Sequence, residues 1–127
     1  MKENIILCPV CKNHLAINGK NAVCSNHHNY DLAKSGYLNL LLNHPQSGDN
    51  DVMINARHTF LSKGYFTPLC DKIIALLQKY QIKSLLDVGC GEGYYSRQIY
   101  HALNIDIIGV DISKTACLKA AQNCKEV

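Results

Sequence analysis

The chain has 127 residues, 47% hydrophobic and 18% charged, with a formal net charge of +3. That balance suits one ordinary globular domain or two small ones; it excludes a disordered chain and is too weakly basic to argue for nucleic acid by itself. Seven cysteines, an odd number, argue against a complete disulfide framework and point, in a reducing compartment, to metal binding or catalysis.

The opening "MKEN" leads into the short apolar run "IILCPV", which has neither the length of a signal-peptide core nor a small-residue cleavage site. No apolar stretch approaches the roughly 18–20 residues of a membrane span, so the chain reads as cytoplasmic, with no membrane partner. Residues 1–47 hold the first three cysteines, four of the six histidines and short segments such as "NAVC" and "YLNLLL". This is a loop-rich module with too little apolar mass for a core of its own, so it needs a staple.

Cys8-Pro-Val-Cys11 has the two-residue gap that aims two thiolates at one ion, and Cys24 and His28 follow in the pattern C-x2-C-x12-C-x3-H. Four ligands close a tetrahedron and leave no open position, which makes the metal a structural zinc. A redox dithiol at Cys8–Cys11 would sit at a helix N-terminus beside a βαβ pattern, and none is nearby. On spacing alone His27 competes with His28 as fourth ligand. His14 reads as a surface residue, and His44 as solvated.

The polar stretch "NHPQSGDND" (43–51) reads as a linker, and residues 48–82 as linker and connecting helices. The first helix is expected over "DVMINARHTFLSKG", capped by Asp49 or Asp51, with Met53, Ala56, Phe60 and Leu61 on its packed face and Gly64 as its stop. The second begins at Thr67-Pro68 and packs through Leu69, Ile73, Leu76, Leu77 and Tyr80.

From residue 83 the pattern becomes strand "SLLDV", turn "GCGEG", helix "YYSRQIYHAL", strand "IDIIGV", then a helix over 113–124 with Ser113 as N-cap. Strand, glycine turn, helix, strand, helix opens a parallel α/β sheet. Gly89, Gly91 and Gly93 let the backbone turn sharply and approach a ligand closely, with Asp87 delivered just before them. Asp111, 18 residues past Gly93, can accept hydrogen bonds from both hydroxyls of a ribose. Tyr94 stands where a dinucleotide fingerprint has its third glycine, and Asp87 would repel phosphate but suits an ammonium group. S-adenosylmethionine, with a ribose and an α-amino group but no phosphate, fits better. Cys90 lies in the turn without a paired base, and Cys70, Cys117 and Cys124 read as small buried hydrophobes on helices.

Taken together, "CPVC", "C-x3-H-x-Y-D" (24–31), "AKSGYLNLL" (33–41), "GD" with "ARHTFLSKGYFTPL" (56–69), "LLDVGCGEGYY" (85–95) and "GVDISK" (109–114) resemble the 23S rRNA (guanine-N1)-methyltransferases. The resemblance implies a fold of α/β class: a small N-terminal zinc-binding module (1–47), then a Rossmann-like class I methyltransferase domain beginning at 83. It implies that the histidine before "x-[FY]-D", here His28, is the zinc ligand. It also implies that Gly91, Glu92 and Gly93 lie along S-adenosylmethionine, with Asp111 at the ribose. Phe66 replaces a tyrosine thought to touch the cofactor, and the family's "ARR" reads "ARH" at Ala56–His58.

The activity implied is in-line transfer of the sulfonium methyl to guanine N1, resting mostly on positioning, with no residue here assignable as the proton acceptor. The implied partner is 23S rRNA, held by shape and phosphate contacts through lysines such as Lys12, Lys20 and Lys34. Because Val127 falls inside or just after the second helix of the domain, a truncated methyltransferase is expected. A homodimer or a complementing C-terminal fragment would then be its partner. The alternatives are a non-catalytic zinc-dependent RNA-binding fragment and one half of a split enzyme.

Overall fold

A computed structural model describes residues 5–43, 46, 49–125 and 127. The initial "MKEN", His44 with its solvated reading, Pro45 and Ser47 of the expected linker, and Gly48 of the "GD" match lie outside the described residues. The chain divides into two compact units, Met1–Pro45 and Gln46–Val127.

The first unit is a three-stranded antiparallel sheet in the order β1 (Leu15–Asn18), β2 (Asn21–Cys24), β3 (Asn29–Asp31). Gly19 and Lys20 form the tight connection between β1 and β2, and Gly19 supplies the positive φ (64°) that a two-residue hairpin favours. The core is tiny: Leu15 and Ala22 are buried together with Cys8 and Cys24, flanked by Ile6, Cys11, Ile17, Tyr30, Leu38 and Leu40. Two of the proposed metal ligands, Cys8 and Cys24, are therefore themselves part of the core and Cys11 packs against it, as expected of a module too small to exclude water by apolar mass. "NAVC" is β2. "YLNLLL" is not a strand; beyond an isolated Leu32–Leu38 bridge it contributes Leu38 and Leu40 to the core and leaves Leu41 and Leu42 exposed.

The second unit runs α1 (Asp51–Leu61), α2 (Thr67–Lys79), β4 (Ser84–Val88), α3 (Tyr94–Leu103), β5 (Asp106–Val110), α4 (Lys114–Asn123). The two strands pair in parallel, with Ser84 opposite Asp106 and Val88 opposite Val110, and the right-handed βαβ crossover rule accounts for helix α3 between them. Ile99, Ile105 and Ile107 centre its core, joined by Ile73, Ile74, Leu77, Ile82 and Leu85. The helices read as connectors thus belong to this unit: α2 packs on α3, and α1 on α4. The architecture is α/β, a Cys/His-bearing antiparallel module followed by the opening of a Rossmann-like sheet.

Two helix readings need correction. The N-cap of α1 is Asn50, whose side chain accepts from the Met53 N–H at 2.9 Å, not Asp49 or Asp51. Both aspartates are engaged elsewhere, Asp49 with Arg57 at 2.6 Å and Asp51 with the Thr115 hydroxyl at 2.7 Å. The buried side of α1 is Ile54 and Leu61; Met53, Ala56 and Phe60 are exposed. On α2 the inward residues are Cys70, Ile73, Ile74 and Leu77, while Leu69, Leu76 and Tyr80 face outward. Its N-cap is Phe66, with Pro68 inside the first turn, where a missing N–H costs nothing. Ser113 caps α4 through the Ala116 N–H at 3.2 Å. No helix among the described residues is long and apolar enough to cross a membrane.

Candidate functional site

In the first unit, donor atoms of Cys8, Cys11, Cys24 and His28 all lie within 4.8 Å of one another. Two turns build the arrangement. Lys12 (φ 62°) returns its N–H to Cys8 O at 2.9 Å, and His27 (φ 61°) returns its own to Cys24 O at 2.9 Å. Each turn aims one cysteine of β-sheet periphery and its successor ligand at the same point.

The edges decide whether an ion fits. A tetrahedral zinc with bonds of about 2.3 Å to sulfur and 2.0–2.1 Å to nitrogen needs S···S edges of about 3.8 Å and S···N edges of about 3.5 Å. Cys11 Sγ and Cys24 Sγ are 3.6 Å apart, Cys24 Sγ and His28 Nδ1 3.3 Å, Cys8 Sγ and His28 Nδ1 3.6 Å. The quartet fits zinc, and Nδ1 is the ring nitrogen turned to the thiols. All seven cysteines are free thiols. His27 and His14 are exposed.

Cys8 is fully buried and 3.2 Å from Tyr30 Oη. Burial pushes its thiol up, but hydrogen bonds from Tyr30 and from the Cys11 and Val10 backbone more than offset this and leave it at about 6. Tyr30, hydrogen-bonded to Cys8 and partly buried, is pushed up to about 12, so it keeps its proton and donates to the sulfur. Tyr30 was visible in the sequence only as part of a motif; its direct contact with a ligand was not.

In the second unit the glycine turn folds back on the end of β5. Gly89 and Cys90 both donate their N–H to Val110 O, at 2.8 and 3.1 Å, and Gly93 donates to Cys90 O at 3.0 Å. Gly89, Gly91 and Gly93 all have positive φ (77°, 57°, 77°), which L side chains rarely adopt. Gly93 is needed for a second reason: a Cβ there would lie 3.1 Å from Ala120 Cβ on α4.

Asp111 braces the turn from β5, one oxygen accepting from the Gly91 N–H at 2.9 Å and the other from the Ser113 N–H at 2.8 Å. A carboxylate has about four lone-pair sites, so two acceptor positions remain for hydroxyls. Asp87 ends β4 with one oxygen accepting from the fully buried Ser96 hydroxyl at 2.5 Å. Burial, then Cys117, Asp87 and Asp111, push the Cys90 thiol up to about 12, so it is no nucleophile at neutral pH. Cys70 and Cys124 are buried; Cys117 is only partly so.

Glu92 sits within the turn with its side chain buried against α1 and α4. It is 2% exposed, and its Oε2 accepts from His58 Nδ1 at 2.7 Å on α1 and from Asn123 Nδ2 at 3.0 Å on α4. Its Oε1 is buried with no hydrogen-bond partner. What Glu92 could present to a ligand in the turn is its backbone. Phe66 lies at the start of α2, its ring 6.0 Å from that of Phe60. Ser96, His58, Asn123 and Arg57 were not singled out as site residues. A buried acid between glycines demands partners, and that signal could have led to His58.

With four of its N–H groups taken up internally, the turn has little to offer a pyrophosphate, while two carboxylates suit a zwitterion carrying a ribose. Comparison with known proteins agrees. The zinc-ribbon family described as RlmA, N-terminal, matches residues 6–47, and the Methyltransferase domain family matches residues 85–127. The Bacillus subtilis protein YxjB, named as a candidate 23S rRNA (guanine-N(1)-)-methyltransferase, is 30% identical over 94% of this chain and 46% of its own length. The 23S rRNA (guanine(748)-N(1))-methyltransferase of Streptomyces fradiae is 26% identical over 96% of this chain and 47% of its own.

The chain is similar to the N-terminal part of proteins named 23S rRNA (guanine-N1)-methyltransferases.

It spans about half the length of the curated relatives it matches. The quartet of the first unit falls within the zinc-ribbon match and the glycine turn within the methyltransferase-domain match.

Proposed function

We propose that this chain forms the zinc-bearing and cofactor-binding part of a cytoplasmic methyltransferase that modifies guanine N1 in 23S rRNA. The observation that carries the reading is Asp111 holding the Gly91 N–H beside a turn in which the Gly89, Cys90 and Gly93 N–H groups are bonded internally. S-adenosylmethionine, when bound, supplies an electrophilic methyl group. Asp111 would receive the ribose hydroxyls with its remaining lone pairs, and Asp87 would attract the ammonium group. Gly89, Gly91 and Gly93 keep side chains out of the way, and Phe66 would flank the cofactor. Cys8, Cys11, Cys24 and His28 would hold a structural zinc that orders the first unit for docking on RNA, with exposed Lys12, Lys20 and Lys34 meeting phosphates.

One face of the two-stranded sheet is open: Leu86, Val88 and Val110 are 60%, 76% and 42% exposed. Parallel strands are ordinarily covered on both faces. We assign that face to contact with further polypeptide; a second copy of the chain there would show as a dimer on sedimentation.

Calorimetric titration with S-adenosylmethionine tests the reading, and transfer of labelled methyl to 23S rRNA, mapped by reverse-transcription stops at N1-blocked guanines, tests the substrate. Absence of cofactor binding at millimolar concentration, with zinc retained, would overturn it.

A further inference from the structure

S-adenosylmethionine ends in an amino acid, and its carboxylate needs a donor as much as its ammonium needs an acid. The glycine turn has little beyond the Glu92 N–H to supply one. Gly89 and Cys90 give their N–H groups to Val110 O, Gly93 gives its own to Cys90 O, and Gly91 gives its own to Asp111. The nearby carboxylates Asp87 and Asp111 would repel an anion further. A side-chain cation suits it better than the turn's backbone does.

Helix α1 brings one. A Cβ built on Gly91 would have Arg57 Nη1 as its nearest neighbour, 3.9 Å away. Arg57 is held there because α1 is tied down on both sides of it. His58, the next residue, bonds Glu92 inside the turn, and Asp51 at the helix start accepts from Thr115 on α4. Asp49 accepts from Nη1 at 2.6 Å, which orients the guanidinium and uses one of its five donors. The side chain is 47% exposed, so the remaining donors can be reached.

We propose that Arg57 receives the carboxylate of the methionyl end of S-adenosylmethionine, held over Gly91 by the His58–Glu92 bond. This rests on the reading of the turn as the cofactor site. A planar fork of donors matches a carboxylate in a way a lysine ammonium does not.

The test compares two ligands on the full chain by calorimetry. S-adenosylhomocysteine carries the amino-acid end; 5′-methylthioadenosine has the same ribose and adenine but lacks it. Arg57→Gln should weaken S-adenosylhomocysteine roughly ten- to a hundred-fold, the range for a charge-assisted bond, and leave methylthioadenosine unchanged. Unchanged methylthioadenosine binding also certifies a folded turn. Arg57→Lys should fall between. Equal losses for both ligands in both variants would assign Arg57 a structural role and overturn the proposal, as would no loss for either. If the unaltered chain binds methylthioadenosine but not S-adenosylhomocysteine, the cofactor site stands and this assignment falls. If it binds neither, the reading of the turn itself fails.

Discussion

The bond between His58 and Glu92 can be tested by removing each end in turn. Glu92 is 1% exposed at its side chain, one oxygen has no partner, and the other depends on His58 and Asn123. His58→Ala leaves the buried carboxylate one neutral amide donor. A hydrogen bond to a charged group contributes about 1.5–3 kcal/mol, and water entering where His58 was 35% exposed recovers part of it. A loss of about 2 kcal/mol follows, which at a urea slope of about 1–1.5 kcal/mol/M moves the midpoint down by roughly 1.5 M. The sharper expectation is a change of sign. Glu92→Gln weakens a charge-assisted bond in the unaltered chain and should destabilise it. In the His58→Ala background the same change removes an unpaired buried charge and should stabilise. Urea unfolding of the four proteins, followed by circular dichroism, closes the cycle. If Glu92→Gln has the same sign in both backgrounds, the bond does not stabilise α1 against the turn.

His28→Ala should abolish stoichiometric zinc and unfold the first unit, whereas His27→Ala should keep the metal; elemental analysis that finds zinc lost only from the His27 variant reverses the assignment. Chelation should unfold the same unit, since binding of structural zinc contributes on the order of 10 kcal/mol or more to folding. Cys90, whose folded pKa is pushed up to about 12, should resist alkylation at pH 8, as read by mass spectrometry of digests. Because the unfolded thiol gives up its proton first, stability should fall as pH rises from about 9 to about 12, and Cys90→Ala should remove part of that slope.

The zinc quartet and the strand–turn–helix were legible because each is local: a ligand spacing, or glycines at fixed intervals after an apolar strand. The family motif around Tyr30 chose His28, and the structure turns that ring to the thiols while His27 takes the left-handed turn. What was not legible depended on distant partners. Three consecutive residues, Asp49, Asn50 and Asp51, could each cap α1, and periodicity cannot rank them. Arg57 and Thr115, the latter 64 residues away, claim the two aspartates and leave Asn50 for the cap. The packed face of α1 was misread for a similar reason. Its position is set by polar anchors, Asp51 and His58, as much as by Ile54 and Leu61, so counting apolar residues at helical spacing selected exposed ones.

The same accounting separates two ways of making a glycine turn. A phosphate-binding loop leaves its amides pointing outward, because the ligand is an anion with no other source of donors. Here the amides of Gly89, Cys90, Gly91 and Gly93 are bonded inward to Val110, Cys90 and Asp111, and the charged groups around the turn come from three other elements: Asp87 from β4, Asp111 after β5, Arg57 from α1. Such a turn contributes shape and close approach, while side chains contribute recognition. On the proposed reading, the ligand's specificity resides in residues outside the glycine motif, and α1, which periodicity alone reads as a connector, contributes Arg57 to the site.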